Sequence, residues 1–252
     1  MGTPTEKRFV ELSHVIRDGM VTYPGLPAPA ITEWLSREAS AERYAAGTTF
    51  RINQITMIGN TGTYLDAPSH RWSDGADLAG LPLEKLADLP GVVVRVPPST
   101  RAVDAALLRP HLAGAAVVDG TAAGDAATGG GTAAGGAVAG RAVLLDTGWS
   151  AHFGTERYAA PDHPYLTKDG AELLVSAGVA LVGIDSINID DTAPAANGAR
   201  PAHSVLLAAG IPIVEHLRGL GELPVYGFRF SAVPPMFAGL DTAPVRAYAI
   251  VD

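Results

Sequence analysis

Hydrophobic and polar positions along the chain fall into short blocks rather than long periodic runs. Gly91-Val-Val-Val-Arg-Val96, Ala142 to Leu145, Val179 to Ile184, Ile211 to Val214, Val225 to Phe230 and Val245 to Val251 are apolar, rich in β-branched residues and bounded by Gly or Pro. Blocks of that kind predict strands, and Phe50 to Ile58 predicts one more. Two segments carry helix punctuation instead. Thr167 is a good N-cap ahead of Ala171-Glu-Leu-Leu-Val, and Gly178 suits the position after a last turn. Pro201 suits a first helical turn, and Gly210 closes that second helix. Helix, strand, helix and strand in close order over 167–214 predict an α/β domain with some parallel pairing. The C-terminal strands have no helix between them and are expected to run antiparallel. There is no internal repeat.

Composition changes this picture at one place. From Gly120 to Gly140, 16 of 21 residues are Gly or Ala, so no large side chain is present to anchor the segment. It is expected to be a mobile surface loop at about 120–140, inside one domain spanning 1–252. A phosphate-cradling loop would need a helix after it, but Arg141-Ala-Val-Leu-Leu-Asp146 follows, a strand, and no Lys-Ser or Lys-Thr is present. No nucleotide cofactor is expected. An apolar share of 47% can build a full core. Acidic residues outnumber basic ones, 26 to 18, for a net charge of −8, which leaves no footprint for nucleic acid or anionic membrane. The longest apolar run, Val205 to Val214, is half the roughly 20 residues that span a bilayer. The N-terminal segment lacks the apolar stretch of a signal peptide, so a cytoplasmic location is expected. With no cysteine, disulfides, thiolate metal sites and cysteine nucleophiles are excluded.

The candidate chemistry sits on the histidines and their acidic neighbours. Asp66 and His70 lie on either side of Pro68, on a loop that follows the Phe50–Ile58 strand. A stiffened loop at a strand end is where a scaffold places a carboxylate and an imidazole for catalysis. The spacing alone is weak, and Asp66 capping a turn beside a half-exposed His70 explains it equally. His203 lies near the start of the 201–209 helix. Glu215 is in phase with Ile211 and Ile213 at period two, so it points towards the core or a cavity, where a charge requires a partner. The bland alternatives are a satisfied core histidine and an ordinary strand-end charge.

Taken in order, the motifs are more specific. The segment Asn60-Thr-Gly-Thr-Tyr-Leu-Asp-Ala-Pro-Ser-His70 aligns without a gap with the hallmark H-x-G-T-H-x-D-x-P-x-H. On it the chain resembles the metal-dependent cyclase family that includes bacterial kynurenine formamidases and isatin hydrolases. Glu11-Leu-Ser-His14, Tyr23-Pro-Gly25, Leu145-Asp-Thr-Gly-Trp149, His163-Pro-Tyr-Leu166, Val182-Gly-Ile-Asp185 and His203 to Leu217 extend the resemblance over nearly the whole chain.

The resemblance implies a swivelling β/β/α domain, with a barrel-like sheet core and outer helices, in a homodimer or homotetramer. It implies metal ligation by Asp66, His203 and Glu215, and a catalytic base at His70. The family's first two histidine ligands are Asn60 and Tyr64 here. An amide is a weak neutral ligand and a phenol of pKa about 10 rarely binds metal at neutral pH, which argues against a two-metal centre. One divalent ion, zinc or manganese, or none, is left open. Asn60 and Tyr64 are instead candidates to bind a substrate carbonyl, with Tyr64 in the catalytic set beside Asp66 and His70. Gly62 would let the backbone approach closely. Trp72, and less specifically Trp149, are candidates for an aromatic pocket wall; core packing explains both as well. Arg71 could hold an acidic group or be a plain surface cation. His14 and His163 are expected in surface loops without a role. The implied activity is a hydrolase or cyclase acting on a small amide, formamide or lactam carbonyl. The alternatives are a ring-closing or dehydrating enzyme of secondary metabolism, or a non-catalytic small-molecule binder.

Overall fold

The computed structural model describes residues 7–118 and 138–251. The Gly/Ala-rich loop expected at 120–140 lies outside them, apart from the turn at 138–140. The chain starts with β1 (Arg8–Glu11), then β2 (Ala30–Leu35), a short helix α1 (Arg37–Ala41) and β3 (Ile52–Thr56). The strands β2 and β3 pair only with each other, as an arm whose Trp34, Ile52 and Ile55 are exposed. Next come β4 (Tyr64–Asp66), β5 (Leu89–Arg95), β6 (Ala102–Val103) and α2 (Ala105–Val118). They are followed by β7 (Ala142–Asp146), β8 (Tyr165–Leu166), α3 (Lys168–Ser176), β9 (Leu181–Ile184), α4 (Pro201–Ala208) and β10 (Ile213–Glu215). The chain closes with β11 (Phe228–Ser231), β12 (Thr242–Pro244) and β13 (Tyr248–Val251).

Nine strands form one strongly curled sheet, in the order β1-β13-β11-β5-β7-β9-β10-β4-β12. The central four, β5, β7, β9 and β10, are parallel, as the alternation over 167–214 predicts. Both flanks are antiparallel. Helix α3 has the expected ends: Thr167 Oγ1 accepts from Gly170 N, and Gly178 is left-handed at φ +73°. Strand Ile211–Val214 is shifted, since Ile211 and Pro212 precede β10. Helix α2 was not predicted, because Pro110 inside it hides the helical pattern.

Alternation along the strands divides the core in two. Val93, Leu144, Leu181, Val214 and Leu65 pack inside the curl with Phe230 and Ala249. Val92, Val94, Val143, Val182, Ile184 and Ile213 pack on the other face, under Leu108, Leu174 and Leu206 of the helices. At roughly 1.5–3 kcal/mol for each large side chain fully buried, both faces are needed to hold the sheet. The division also settles the site. In β4, Leu65 points into the curl, so Tyr64 and Asp66 face the helix side; in β10, Glu215 shares that side with Ile213.

Candidate active site

Register brings these side chains together. In the antiparallel β4–β10 pair, Tyr64 lies opposite Glu215 and Asp66 opposite Ile213. Directly opposed side chains on one face are neighbours, and the Tyr64 hydroxyl donates to Glu215 Oε2 at 2.6 Å. Glu215 Oε1 accepts from Ile189 N at 2.6 Å. His203 enters from the first turn of α4, with Nε2 3.7 Å from Asp66 Oδ2 and 3.8 Å from Glu215 Oε1. Its other nitrogen, Nδ1, lies 2.6 Å from Asp190 Oδ2. Asp190 also accepts from Ala202 N and His203 N, so one carboxylate caps α4 and orients its imidazole.

Asp66 is wholly buried, and neither of its carboxylate oxygens has a hydrogen-bond partner. A buried unpaired carboxylate is costly unless a cation shares its space. Ligand atoms of Asp66, His203 and Glu215 lie within 4.8 Å of one another, the one such group among the described residues. Three carboxylates around one imidazole suit a divalent cation, and the Asp190–His203 contact is the outer support that metal-binding histidines use. The residues therefore fit one divalent ion.

The same carboxylates set the charge of the imidazole. Burial alone would push His203 down, but Asp190, Asp66 and Glu215 outweigh it and hold the imidazole up at about 10. Burial pushes Glu215 up to about 7, against His203 and with the help of Asp66. The Tyr64 phenol is raised well above 10 by burial and by the two carboxylates, so it remains a donor at any working pH.

Tyr64, His203 and Glu215 line a cavity of about 420 Å³, shared with Asn60, His70 and Asn188. His70 closes the short turn that starts at Pro68, and its Nε2 is 3.9 Å from Asp66 Oδ1. Asn60 Oδ1 accepts from Thr242 Oγ1 at 3.2 Å. Asn60, Tyr64, Asp66, His70, His203 and Glu215 thus converge, whereas Trp72 and Trp149 do not. Trp72 does not line this cavity; its indole donates to Ser204 O at 3.2 Å and faces a separate depression with Gly75 and Leu207. Its side chain is drawn away by that hydrogen bond and by Arg71 stacked over the ring. Trp149 is a core aromatic, packed with Tyr158 and Ile187.

Other expectations are corrected. Gly62 is left-handed, at φ +67°, and a Cβ there would meet Ile16 Cγ1 at 2.9 Å, so it serves a turn rather than substrate approach. His163 is fully buried, bonded to Thr192 Oγ1 and Ser186 Oγ, and not in a surface loop. His14 is part-buried and stacked on Phe153 at 3.6 Å. Asp190, Asn188 and Arg200 were missed. Only the acidic pair Asp190-Asp191 ahead of the helix, a possible cap, was a signal for any of them.

The Cyclase family model matches residues 10–191. The chain belongs to the Cyclase family. The match takes in the whole of Asn60 to His70, and the His203–Glu215 segment lies beyond it. Solved structures agree in fold over nearly the full length. Isatin hydrolase A from Labrenzia aggregata, bound to benzyl benzoate, is 20% identical, with TM-score 0.72 over 97% of this chain and 94% of its own. An isatin hydrolase bound to the product analogue thioisatinate is 23% identical, with TM-score 0.73 over 98% and 93%. A potential metal-dependent hydrolase with cyclase activity is 21% identical, with TM-score 0.70 over 98% and 99%. The fold is thus that of the family, with the curled sheet carrying its helices outside.

Proposed function

We propose that this protein is a hydrolase of a small amide, formamide or lactam, acting with one divalent ion, zinc or manganese, held by Asp66, His203 and Glu215. The observation that carries this is the Asp66 carboxylate, buried with both oxygens unpartnered beside His203 Nε2 and Glu215. When bound, such an ion supplies Lewis-acid polarisation of a carbonyl and lowers the pKa of water to near 7. Asp190 holds Nδ1 and so fixes the direction of His203 Nε2, the nitrogen that would hold the ion. Tyr64 keeps Glu215 Oε2 in place. His70, half-exposed on the cavity wall, takes a proton at Nε2 from the attacking water and returns it to the leaving nitrogen as the carbon–nitrogen bond breaks. Asn60 and Asn188 offer amide donors to the substrate from the wall. Isatin hydrolases among the structural neighbours support a cyclic amide, and the family resemblance supports a formamide such as N-formylkynurenine.

The test is elemental analysis of the protein purified without added metal, followed by assays on isatin and N-formylkynurenine with and without chelator. One metal equivalent, and chelator-sensitive hydrolysis lost in His70→Ala, are expected. Full turnover in both His70→Ala and Asp66→Ala would exclude this mechanism.

A further inference from the structure

The cavity is electrically divided. At its inner end Glu215 faces the space, with Asp66 close by beneath the wall. Two arginines line it as well: Arg200, half-buried just ahead of α4, and Arg71, exposed just after the His70 turn. Seven other arginines pair with a carboxylate within 4.0 Å. Among the described residues, Arg71 and Arg200 have no such partner, as is also true of Arg17, Arg37, Arg43, Arg109 and Arg218, but of these only Arg71 and Arg200 line the cavity. Arg71 rests on the Trp72 ring at 4.5 Å, and its Nε donates to Ser204 Oγ at 3.2 Å. Arg200 Nη1 donates to the carbonyls of Asp191 and Ala199, at 3.3 and 2.9 Å. Ser204 links the two, because its hydroxyl also donates to Arg200 O at 2.7 Å. Each guanidinium has five N–H donors, so both keep donors in hand. In a chain of net charge −8, carboxylates are plentiful, yet none is placed against this pair.

We propose that the cavity takes a substrate bearing a carboxylate, seated on Arg200 and Arg71, with its reacting carbonyl directed inward to Glu215 and His70. The opposite orientation would leave both guanidiniums without an anion and set the substrate's carboxylate in competition with Asp66 and Glu215 for any cation held between them. Tyr23 and Leu26 on the same wall provide apolar surface for an aryl or alkyl body between the two ends. The substrate class is therefore a small amide, formamide or lactam that carries a free acid. The inward end rests on the hydrolase proposed above, whereas the anion seat rests on the arginines.

Benzoate and benzamide share a shape and differ in charge. Titration calorimetry on the protein as purified should show benzoate binding roughly tenfold tighter or more, with the margin narrowing as salt is added. Arg200→Met and the exposed Arg71→Met should each remove most of that margin, and Arg200→Lys should keep part of it. Equal affinities in the unmodified protein would overturn the anion seat. So would a margin that survives in the double variant, since benzoate would then be held by a metal or elsewhere. Turnover of 2-formamidobenzoate against its methyl ester separates the two proposals. Equal hydrolysis of both removes the carboxylate requirement and keeps the hydrolase. A benzoate preference that depends on the arginines, with no amide hydrolysed, keeps the anion seat and removes the hydrolase.

Discussion

Tyr64 and Glu215 are register partners across β4 and β10, and their side chains share a 2.6 Å hydrogen bond in the buried wall of the cavity. The phenol is therefore already engaged before any substrate arrives. Tyr64→Phe removes the donor and leaves a buried carboxylate oxygen without it. Urea unfolding should show a loss of about 1.5–3 kcal/mol, the range for a hydrogen bond to a charged group. Turnover should fall by roughly ten- to a hundredfold if that oxygen must stay fixed in the transition state. Unchanged stability and unchanged kinetics together would deny Tyr64 any positioning role.

Metal binding should be visible without catalysis. At a free-ion concentration of about one hundred times Kd, a site present only in the folded state adds about 2.7 kcal/mol. Thermal unfolding with Mn²⁺ or Zn²⁺ should show the corresponding rise in Tm, and Asp66→Asn should abolish it. A shift of equal size in Asp66→Asn would place the ion elsewhere.

Asp190 should act on the metal through His203. Replacing it by Asn keeps an acceptor for the backbone of α4 but weakens the contact at His203 Nδ1. Metal affinity is expected to drop by roughly ten- to a hundredfold, while the fold loses only about 1 kcal/mol. Direct titration with a competing chelator measures the first and denaturant unfolding the second.

Two imidazoles lowered by burial should each work against stability in acid. Burial, helped by Arg218, lowers His14 from 6.5 to about 4. His163 is lowered too, chiefly by burial, with Arg101 adding to it against Asp191 and Asp162. Both bind protons more readily when unfolded, so their contribution is intact above pH 6.5 and is lost as pH falls from there towards the folded values. Each group can contribute at most about 1.4 kcal/mol per pH unit, and the part-exposed His14 less because solvent screens it. Glu215 and Asp185, raised to about 7 and about 6, act in the opposite sense, so the histidine term is read by comparison: in urea at pH 7, 6 and 5 the unmodified protein should lose stability relative to His163→Gln as pH falls. Parallel profiles in the two proteins would show that His163 titrates normally.

Much of this protein was determined locally and could be read from the chain alone. Thr167 and Gly178 mark α3 because capping depends on neighbouring residues, and the β-branched blocks mark β5, β7 and β9 because two-sided burial needs continuous apolar runs. Asp66 and His70 were legible because they lie four residues apart across the stiff Pro68, and His203 and Glu215 because each departs from an apolar pattern. Tertiary structure alone decided what these residues do together. That Tyr64 meets Glu215 depends on the β4–β10 register, a pairing of segments about 150 residues apart. Asp190 reaching back to His203, Trp72 turning to Ser204, and Arg71 meeting Arg200 across one serine all depend on how α4 docks against the hallmark turn. Such contacts carry no local signature, because side-chain direction at long range is set by packing and not by neighbours in the chain.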